Sequence, residues 1–99
     1  YATQVPLKTL QTTLETFDLC QEMSAHGLQT SLSDAGVGGI SLTAAAKGAY
    51  LNVLINVVQL EDRDIVSEII NEADALLQEI QTKENELFEQ IVETLKKDI

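Results

Sequence analysis

The chain has 99 residues, of which 16 are acidic and six are basic, so its formal net charge is −10. Such a surface repels phosphate groups, and we therefore expect neither nucleic-acid binding nor attachment to an anionic membrane. The length allows one domain or part of one, and the first residue is Tyr1 rather than Met, so we expect a fragment or a processed chain.

The first predicted helix covers about residues 6–26. Pro6 suits a first helical turn, and apolar residues then recur at intervals of three and four, at Leu7, Leu10, Leu14 and Phe17. His26 followed by Gly27 is a typical helix end. The helix contains the lone cysteine, Cys20, so no internal disulfide can form. Since no signal-peptide pattern opens the chain either, we expect a cytoplasmic protein.

A connector, LQTSLSD (28–34), precedes a segment in which glycine and alanine mix with Val, Ile and Leu. We predict a buried helix over about 34–60 rather than a strand, because the segment is long and contains no turn signal. Ser31 or Ser33 would be its N-cap. Each glycine costs about 1 kcal/mol relative to alanine in a helix, so these glycines should allow another backbone to approach closely.

This segment also raises the question of a membrane span, which needs about 20 apolar residues. Lys47, Asn52, Asn56 and the glycines weaken that interpretation. The acidic flanks provide no positively charged anchor. We therefore expect no membrane span.

A third helix is predicted over about residues 63–97, with Asp62 or Asp64 as its N-cap. Lys83 and Glu84 interrupt its apolar face. At 1.5 Å per residue it would be roughly 50 Å long, which we expect to be too long for two shorter helices to cover. The predicted fold is all-α, part of a multihelical bundle that missing sequence, a second subunit or both complete. The apolar face consists of Ile65, Ile69, Leu76, Ile80, Leu87 and Ile91, widened by Val66, Ile70, Leu77, Phe88 and Val92.

One sector of the second helix combines small residues with amides. An apolar setting with a few polar groups is typical of a ligand pocket. Buried asparagine equally caps neighbouring helices or fixes the register of a helix pair, and spacing alone favours this packing role. The sector contains Ser41, Ala45, Gly48, Asn52, Asn56 and Gln59, and Asp34 and Gly38 join it if the helix begins early enough.

Four features, in order, resemble the formiminotransferase-cyclodeaminase and methenyltetrahydrofolate cyclohydrolase family. The segment SDAGVGG (33–39) follows the first helix, and a small-residue helix containing KGAYLNVLIN (47–56) comes next. A capping Asp and a long acidic helix complete the set, and VPL at 5–7 accompanies it. Residues 1–99 are similar to the C-terminal half of the family's all-helical cyclodeaminase/cyclohydrolase domain.

The resemblance implies folate chemistry without a cofactor. The reaction would be hydrolysis of 5,10-methenyltetrahydrofolate, or loss of ammonia from 5-formiminotetrahydrofolate with ring closure. The resemblance also implies a homodimer, and a folate site that the upstream half of the domain helps to build. We therefore expect these 99 residues alone to be incomplete and inactive. The alternative is a non-catalytic helical module for dimerisation or interaction that retains the scaffold.

Either reaction needs a group that moves a proton and neutral groups that position the pterin or the one-carbon bridge. Asp34 is the candidate catalytic residue, and Ser33, Lys47, Asn52 and Asn56 are the candidate substrate-binding residues. An acid in the first turn of a helix also favours the helix dipole, which would explain Asp34 structurally. Lys47 either extends its charge to solvent or meets the anionic tail of the folate. No sequence motif indicates a metal site.

Distance limits how these residues combine. Asp34 and Asn52 are 18 residues apart, or about 27 Å along a straight helix, so they cannot both contact one carbon atom within one subunit. They can bind opposite ends of an extended folate, or meet across a subunit interface. Asn52 and Asn56 are only ~6 Å apart in rise and can share one pocket.

Overall fold

The computed structural model describes the backbone of residues 4–26 and 29–99, and the side chains of residues 4–19 and 31–99. The described chain folds into three helices, α1 (Gln4–His26), α2 (Gln29–Val57) and α3 (Arg63–Lys96). Together they form a slender bundle of 56 × 16 × 16 Å. The prediction of an all-α fold with three helices is confirmed.

The bounds of α1 and α3 agree with the prediction to within two residues, whereas α2 differs. It begins at Gln29, so residues 29–34 of the predicted connector are helical and Ser31 and Ser33 lie inside the helix instead of capping it. The apolar contacts explain this extension, because Leu32 is buried in the core. α2 ends at Val57, three residues earlier than predicted. Gly27, the predicted stop after α1, lies outside the described residues.

Asp62, one of the two predicted candidates, is the N-cap of α3. Its backbone is extended, and its Oδ1 atom accepts hydrogen bonds from the backbone N–H of Asp64 at 3.0 Å and of Ile65 at 3.2 Å. These two bonds satisfy donors that the first turn of a helix otherwise leaves unpaired. The cap therefore fixes where α3 begins after the short link from α2.

The core follows the apolar periodicity of the helices. α3 contributes buried residues spaced seven apart, and this spacing keeps one seam facing its neighbours. Ile65 and Phe88, which were predicted on the same apolar face, are about half exposed. The buried set comprises Leu10 and Phe17 of α1, Leu32, Ala46, Ala49, Val53 and Val57 of α2, and Val66, Ala73, Ile80, Leu87 and Ile91 of α3.

The expectation that α3 is too long to be covered is wrong. α2 runs antiparallel to α3 along most of its length. Gly36, near the start of α2, lies against Ile91 near the end of α3, and Tyr50 is bonded to Asp74. The bundle is elongated rather than globular, so two helices of 23 and 29 residues are long enough to cover one of 34. Large apolar residues stay exposed on all three helices, for example Val5 of α1, Ile55 of α2 and Phe88 of α3.

Gly39 is buried and faces both α1 and α3. A Cβ atom added here would lie 3.0 Å from Cδ2 of Leu87 and 3.2 Å from Cε1 of Phe17. The glycine thus makes room for two side chains, whereas the close approach of another backbone stays a prediction. At Gly36 an added Cβ would make an ordinary contact of 3.5 Å with Ile91.

Polar contacts also join α3 to the other helices. The Tyr50 hydroxyl donates a hydrogen bond to Oδ1 of Asp74, and Nζ of Lys83 forms an ion pair with Asp18 of α1. Lys83, which interrupts the apolar face of α3, thus has a partner. The bond to Asp18 raises the pKa of Lys83. The bond to Asp74 raises the pKa of Tyr50, and partial burial and the negative charge of Asp74 act in the same direction.

Gly39→Val should destabilise the bundle. Overpacking a close-packed core typically costs about 1–3 kcal/mol, and both neighbours of Gly39 are fully or almost fully buried side chains. Gly36→Ala is the matched control, for which we expect a gain of roughly 0.5–1 kcal/mol from helix propensity. Urea unfolding at one fixed protein concentration measures both changes. Equal stability of Gly39→Val and the wild type would contradict the assigned packing.

The Tyr50–Asp74 bond predicts a loss of stability at alkaline pH. Since the pKa of Tyr50 is higher in the folded than in the unfolded chain, this contribution is complete below the unfolded value of about 10 and disappears as pH rises through the folded value. In a Tyr1→Phe background Tyr50 is the remaining tyrosine, so tyrosinate absorbance reports its titration. Asp74→Asn should move the midpoint down. An unchanged midpoint would show that the bond does not form.

Candidate functional site

All five predicted site residues lie on α2, and none of them is among its buried residues. Ser33, Asp34, Lys47 and Asn52 are exposed, and Asn56 is half-buried. The core side of the helix is formed by different residues, such as Ala46, Val53 and Val57. The predicted sector of small residues and amides is therefore on the open surface of the chain.

Asn52 and Asn56 stand one turn apart near the C-terminal end of α2. We expected both amides in a buried setting, and this is wrong for Asn52, which is exposed. The reason is that Ala49 and Val53, on the other side of the same turns, make the contacts with the core. Asn52 therefore does not act as a packing residue between the helices of one chain.

Asp34 lies in the second turn of α2, because the helix begins at Gln29. The helix dipole acts mainly on charges in the first turn, so an interaction with the dipole does not explain Asp34. α2 is one continuous helix from Gln29 to Val57, and Asp34 is thus held about 27 Å from Asn52. At 3.6 residues per turn the two side chains nevertheless point in the same direction.

The Lys47 side chain points in a different direction from the amide side chain of Asn52. It lines a groove of about 320 Å³ between α2 and α3, together with Thr43, Gln81, Glu84 and Asn85. At 100° per residue, Lys47 and Asn52 point about 140° apart around the helix. One chain therefore does not bring Lys47 to the same ligand atoms as Asn52.

Three grooves between the described helices and one along the C-terminal part of α3 are lined by residues other than Ser33, Asp34, Asn52 and Asn56. One of them, of about 690 Å³, lies between α1 and α3 and is lined by Leu7, Gln11, Ile65 and Ile69 among others. Among the side chains that the structure describes, no group of three or more His, Cys, Asp or Glu residues is arranged to hold a metal ion. The predicted site is thus an open half-site on one helix.

Sequence reasoning missed the large apolar residues beside this half-site. Val37, Leu51 and Ile55 are 61%, 58% and 63% exposed, on a helix that was predicted to be buried. The available signal was that α2 is apolar on all sides, which two neighbouring helices cannot cover. The pairing of Tyr50 with Asp74 was also missed, because it links residues 24 apart on different helices.

By length and composition, Ser31–Val57 is apolar enough to cross a membrane, the one such segment among the described residues. The same composition occurs in core helices of soluble proteins, so this observation is weak evidence for a span. Only 22% of its most apolar stretch is buried within the bundle. The outer side of α2 therefore needs a cover, and the expectation that no membrane supplies it stays a prediction.

A family model described as formiminotransferase-cyclodeaminase matches residues 1–75, a range that contains every predicted site residue. Methenyltetrahydrofolate cyclohydrolase of Methylorubrum extorquens is 36% identical over 98 residues, which is 99% of this chain and 45% of that protein. Formimidoyltransferase-cyclodeaminase of Rattus norvegicus is 34% identical over 82 residues, which is 83% of this chain and 15% of that protein. The homologous enzyme of Mus musculus gives the same values. The chain thus spans less than half the length of these relatives.

Proposed function

The chain belongs to the formiminotransferase-cyclodeaminase family, and from this premise we propose that it forms part of a folate-processing enzyme domain. The domain hydrolyses 5,10-methenyltetrahydrofolate or releases ammonia from 5-formiminotetrahydrofolate. The observation that carries the proposal is that Ser33, Asp34, Lys47, Asn52 and Asn56 all fall within the matched residues 1–75. They lie on α2, whose outer side is exposed and carries large apolar residues.

Both reactions occur at the same carbon atom, which bridges two nitrogen atoms of the reduced folate. In the hydrolysis, water adds to the electron-poor carbon and the bond from that carbon to one ring nitrogen breaks, leaving a formyl group. In the deamination, the second nitrogen adds to the formimino carbon and ammonia leaves as the ring closes. Each reaction needs a proton moved at a nitrogen or oxygen next to this carbon, and no redox cofactor.

We assign this proton transfer to Asp34 and the positioning of the pterin or bridge to Asn52 and Asn56. A carboxylate can accept and return a proton, whereas the amides can donate and accept hydrogen bonds without changing charge. Ser33, next to Asp34, offers a hydroxyl for the same ligand. Lys47 points toward α3, so it suits the anionic tail of a folate better than its ring system.

The domain acts as a homo-oligomer, most simply a dimer, in the cytoplasm. Support comes from the open half-site, because a ligand on an exposed helix face is not enclosed by one chain and needs a second surface. The second candidate function is a non-catalytic helical interaction module. It is favoured by the same exposed apolar side chains, Val37, Leu51 and Ile55, which suit a protein interface.

Asn52→Ala and Asn56→Ala should each weaken binding of a reduced folate about tenfold, because each variant removes one or two hydrogen bonds to the ligand. Isothermal titration of the protein with 5-formyltetrahydrofolate measures the affinity. Asn71→Ala, an exposed amide on α3, is the matched control and should bind like the wild type. The assignment of the amides would fail if all three variants kept the wild-type affinity.

In the intact domain, which includes the upstream half, Asp34→Asn should lower the rate of methenyl hydrolysis or of ammonia release by at least 100-fold, since general acid–base catalysis contributes roughly 10²–10⁴-fold. Its affinity for the reduced folate should change little, because the amide has the same shape. Asp98→Asn, an exposed acid beyond α3, is the control and should keep full activity. Folate binding without turnover in the wild type would instead support the non-catalytic module.

A further inference from the structure

Glu84 interrupts the apolar face of α3, and the packing of the helices does not explain it. Its neighbour Lys83 turns to α1 and pairs with Asp18. Successive residues of a helix point about 100° apart. Glu84 therefore turns to α2 instead, where it is half-buried and lines one groove together with Lys47. A carboxylate that loses part of its water in this way gains from a hydrogen-bond donor.

Lys47 and Glu84 carry opposite charges in this groove, yet they are not joined. Among the side chains that the structure describes, the one ion pair is that of Lys83 and Asp18. The residues three and four positions from Lys47 and from Glu84 are uncharged, so neither group has a charged partner on its own helix. The groove, of about 320 Å³, is thus lined by a cation and an anion that are not bonded to each other.

The register of the two helices keeps these charges apart. α2 and α3 are antiparallel, and Tyr50 is bonded to Asp74. Lys47 lies three residues from Tyr50, whereas Glu84 lies ten residues from Asp74 in the same direction along the bundle. The difference of seven residues places their Cα atoms about 10 Å apart along the helix axes. Both side chains can therefore contact a group that lies between them.

Two carboxamides complete the polar lining of the groove. Gln81 lies between Lys47 and Glu84 along the helix axes, and Asn85 lies next to Glu84. A carboxamide both donates and accepts hydrogen bonds. A ligand that runs along the groove therefore meets a donor, an amide, an acceptor and a second amide, in that order.

These four groups limit the chemistry of a ligand that satisfies them. An ammonium group only donates hydrogen bonds, and a carboxylate only accepts them. A plain dicarboxylate would meet the negative charge of Glu84, and an amine would meet the positive charge of Lys47. An N-acyl amino acid satisfies both, because it presents carboxylate oxygens close to an amide N–H.

We propose that this groove binds the glutamate end of a reduced folate, and that Glu84 recognises the amide that links the glutamate to the benzoyl group. Lys47 binds a carboxylate of the glutamate, and Glu84 accepts a hydrogen bond from the amide N–H. Gln81 and Asn85 bind the second carboxylate and the amide oxygen. That the N-acyl amino acid belongs to a folate rests on the proposed function.

The groove accommodates one end of the ligand rather than the whole molecule. Its volume of about 320 Å³ is at the lower end of the range for ligand sites. The side chains of Lys47 and Asn52 point about 140° apart around α2. The groove and the two asparagines therefore contact different parts of a ligand, and recognition of the glutamate is separable from recognition of the ring.

A ligand without carboxylates tests Lys47. In the intact domain, which includes the upstream half, 5-formyltetrahydrofolate should bind at least tenfold more tightly than the methylamide that replaces its glutamate, because charge-assisted bonds are lost. Lys47→Gln should bind both ligands alike, as measured by isothermal titration. Lys97→Gln, an exposed base beyond α3, is the matched control and should keep the wild-type preference. An unchanged preference in Lys47→Gln would overturn the assignment, also where urea unfolding shows that this variant is less stable.

A ligand without the amide N–H tests Glu84. The wild type should bind the ester in which an oxygen atom replaces this N–H at least tenfold more weakly than 5-formyltetrahydrofolate, whereas Glu84→Ala should bind the two alike. Glu68→Ala, an exposed acid on α3, is the matched control. Tighter binding of 5-formyltetrahydrofolate by Glu84→Ala would show that Glu84 only repels the anionic ligand, and would overturn its role.

The same titrations separate this inference from the proposed function. A wild type that converts its folate substrate, yet binds 5-formyltetrahydrofolate, the methylamide and the ester alike, would refute the glutamate groove and leave the proposed function standing. A wild type that neither binds nor converts a reduced folate would refute both.

Discussion

A helix can bury only part of its circumference against two neighbours, and α2 is apolar around nearly all of it. This constraint shapes the molecule. The side that includes Ala46, Val53 and Val57 is in the core, where Gly39 lets Phe17 and Leu87 approach the backbone. The other side has no cover among the described residues and carries both large apolar residues and most of the candidate site residues. The residues that pack in the core and the candidate site residues thus lie on different sides of the same helix.

Charge is divided among the helices in a way that fits this arrangement. α3 carries most of the negative charge on the surface that it turns away from the core, and its ends are set by the Asp62 cap and by Lys96 in the last turn. α2 has one acid and one base over 29 residues. α2 is therefore the helix that carries the least net charge.

Much of the fold could be predicted from the sequence because it depends on periodicity. The apolar intervals of α1 and α3, and Asp62 as a cap candidate, are local signals and were correct. The start of α2 was missed because Leu32 joins the core, and this tertiary contact overrides the local turn signals of Ser31 and Ser33. The length of α3 misled us because length says nothing about whether neighbouring helices run alongside it.

The candidate site was predictable in its residues but not in its orientation. Spacing shows that the side chains of Asp34, Asn52 and Gln59 lie on the same side of the helix. In a helix that is apolar on all sides, however, spacing does not show which side faces the core. The structure places these side chains on the open side. A ligand site there needs walls from elsewhere. Asp34 is held about 27 Å from Asn52 on a continuous helix, so side-chain motion cannot bring the two groups to one atom. A ligand that contacts both groups with one atom must therefore be enclosed by a second surface, and such a surface also covers the apolar outer side of α2.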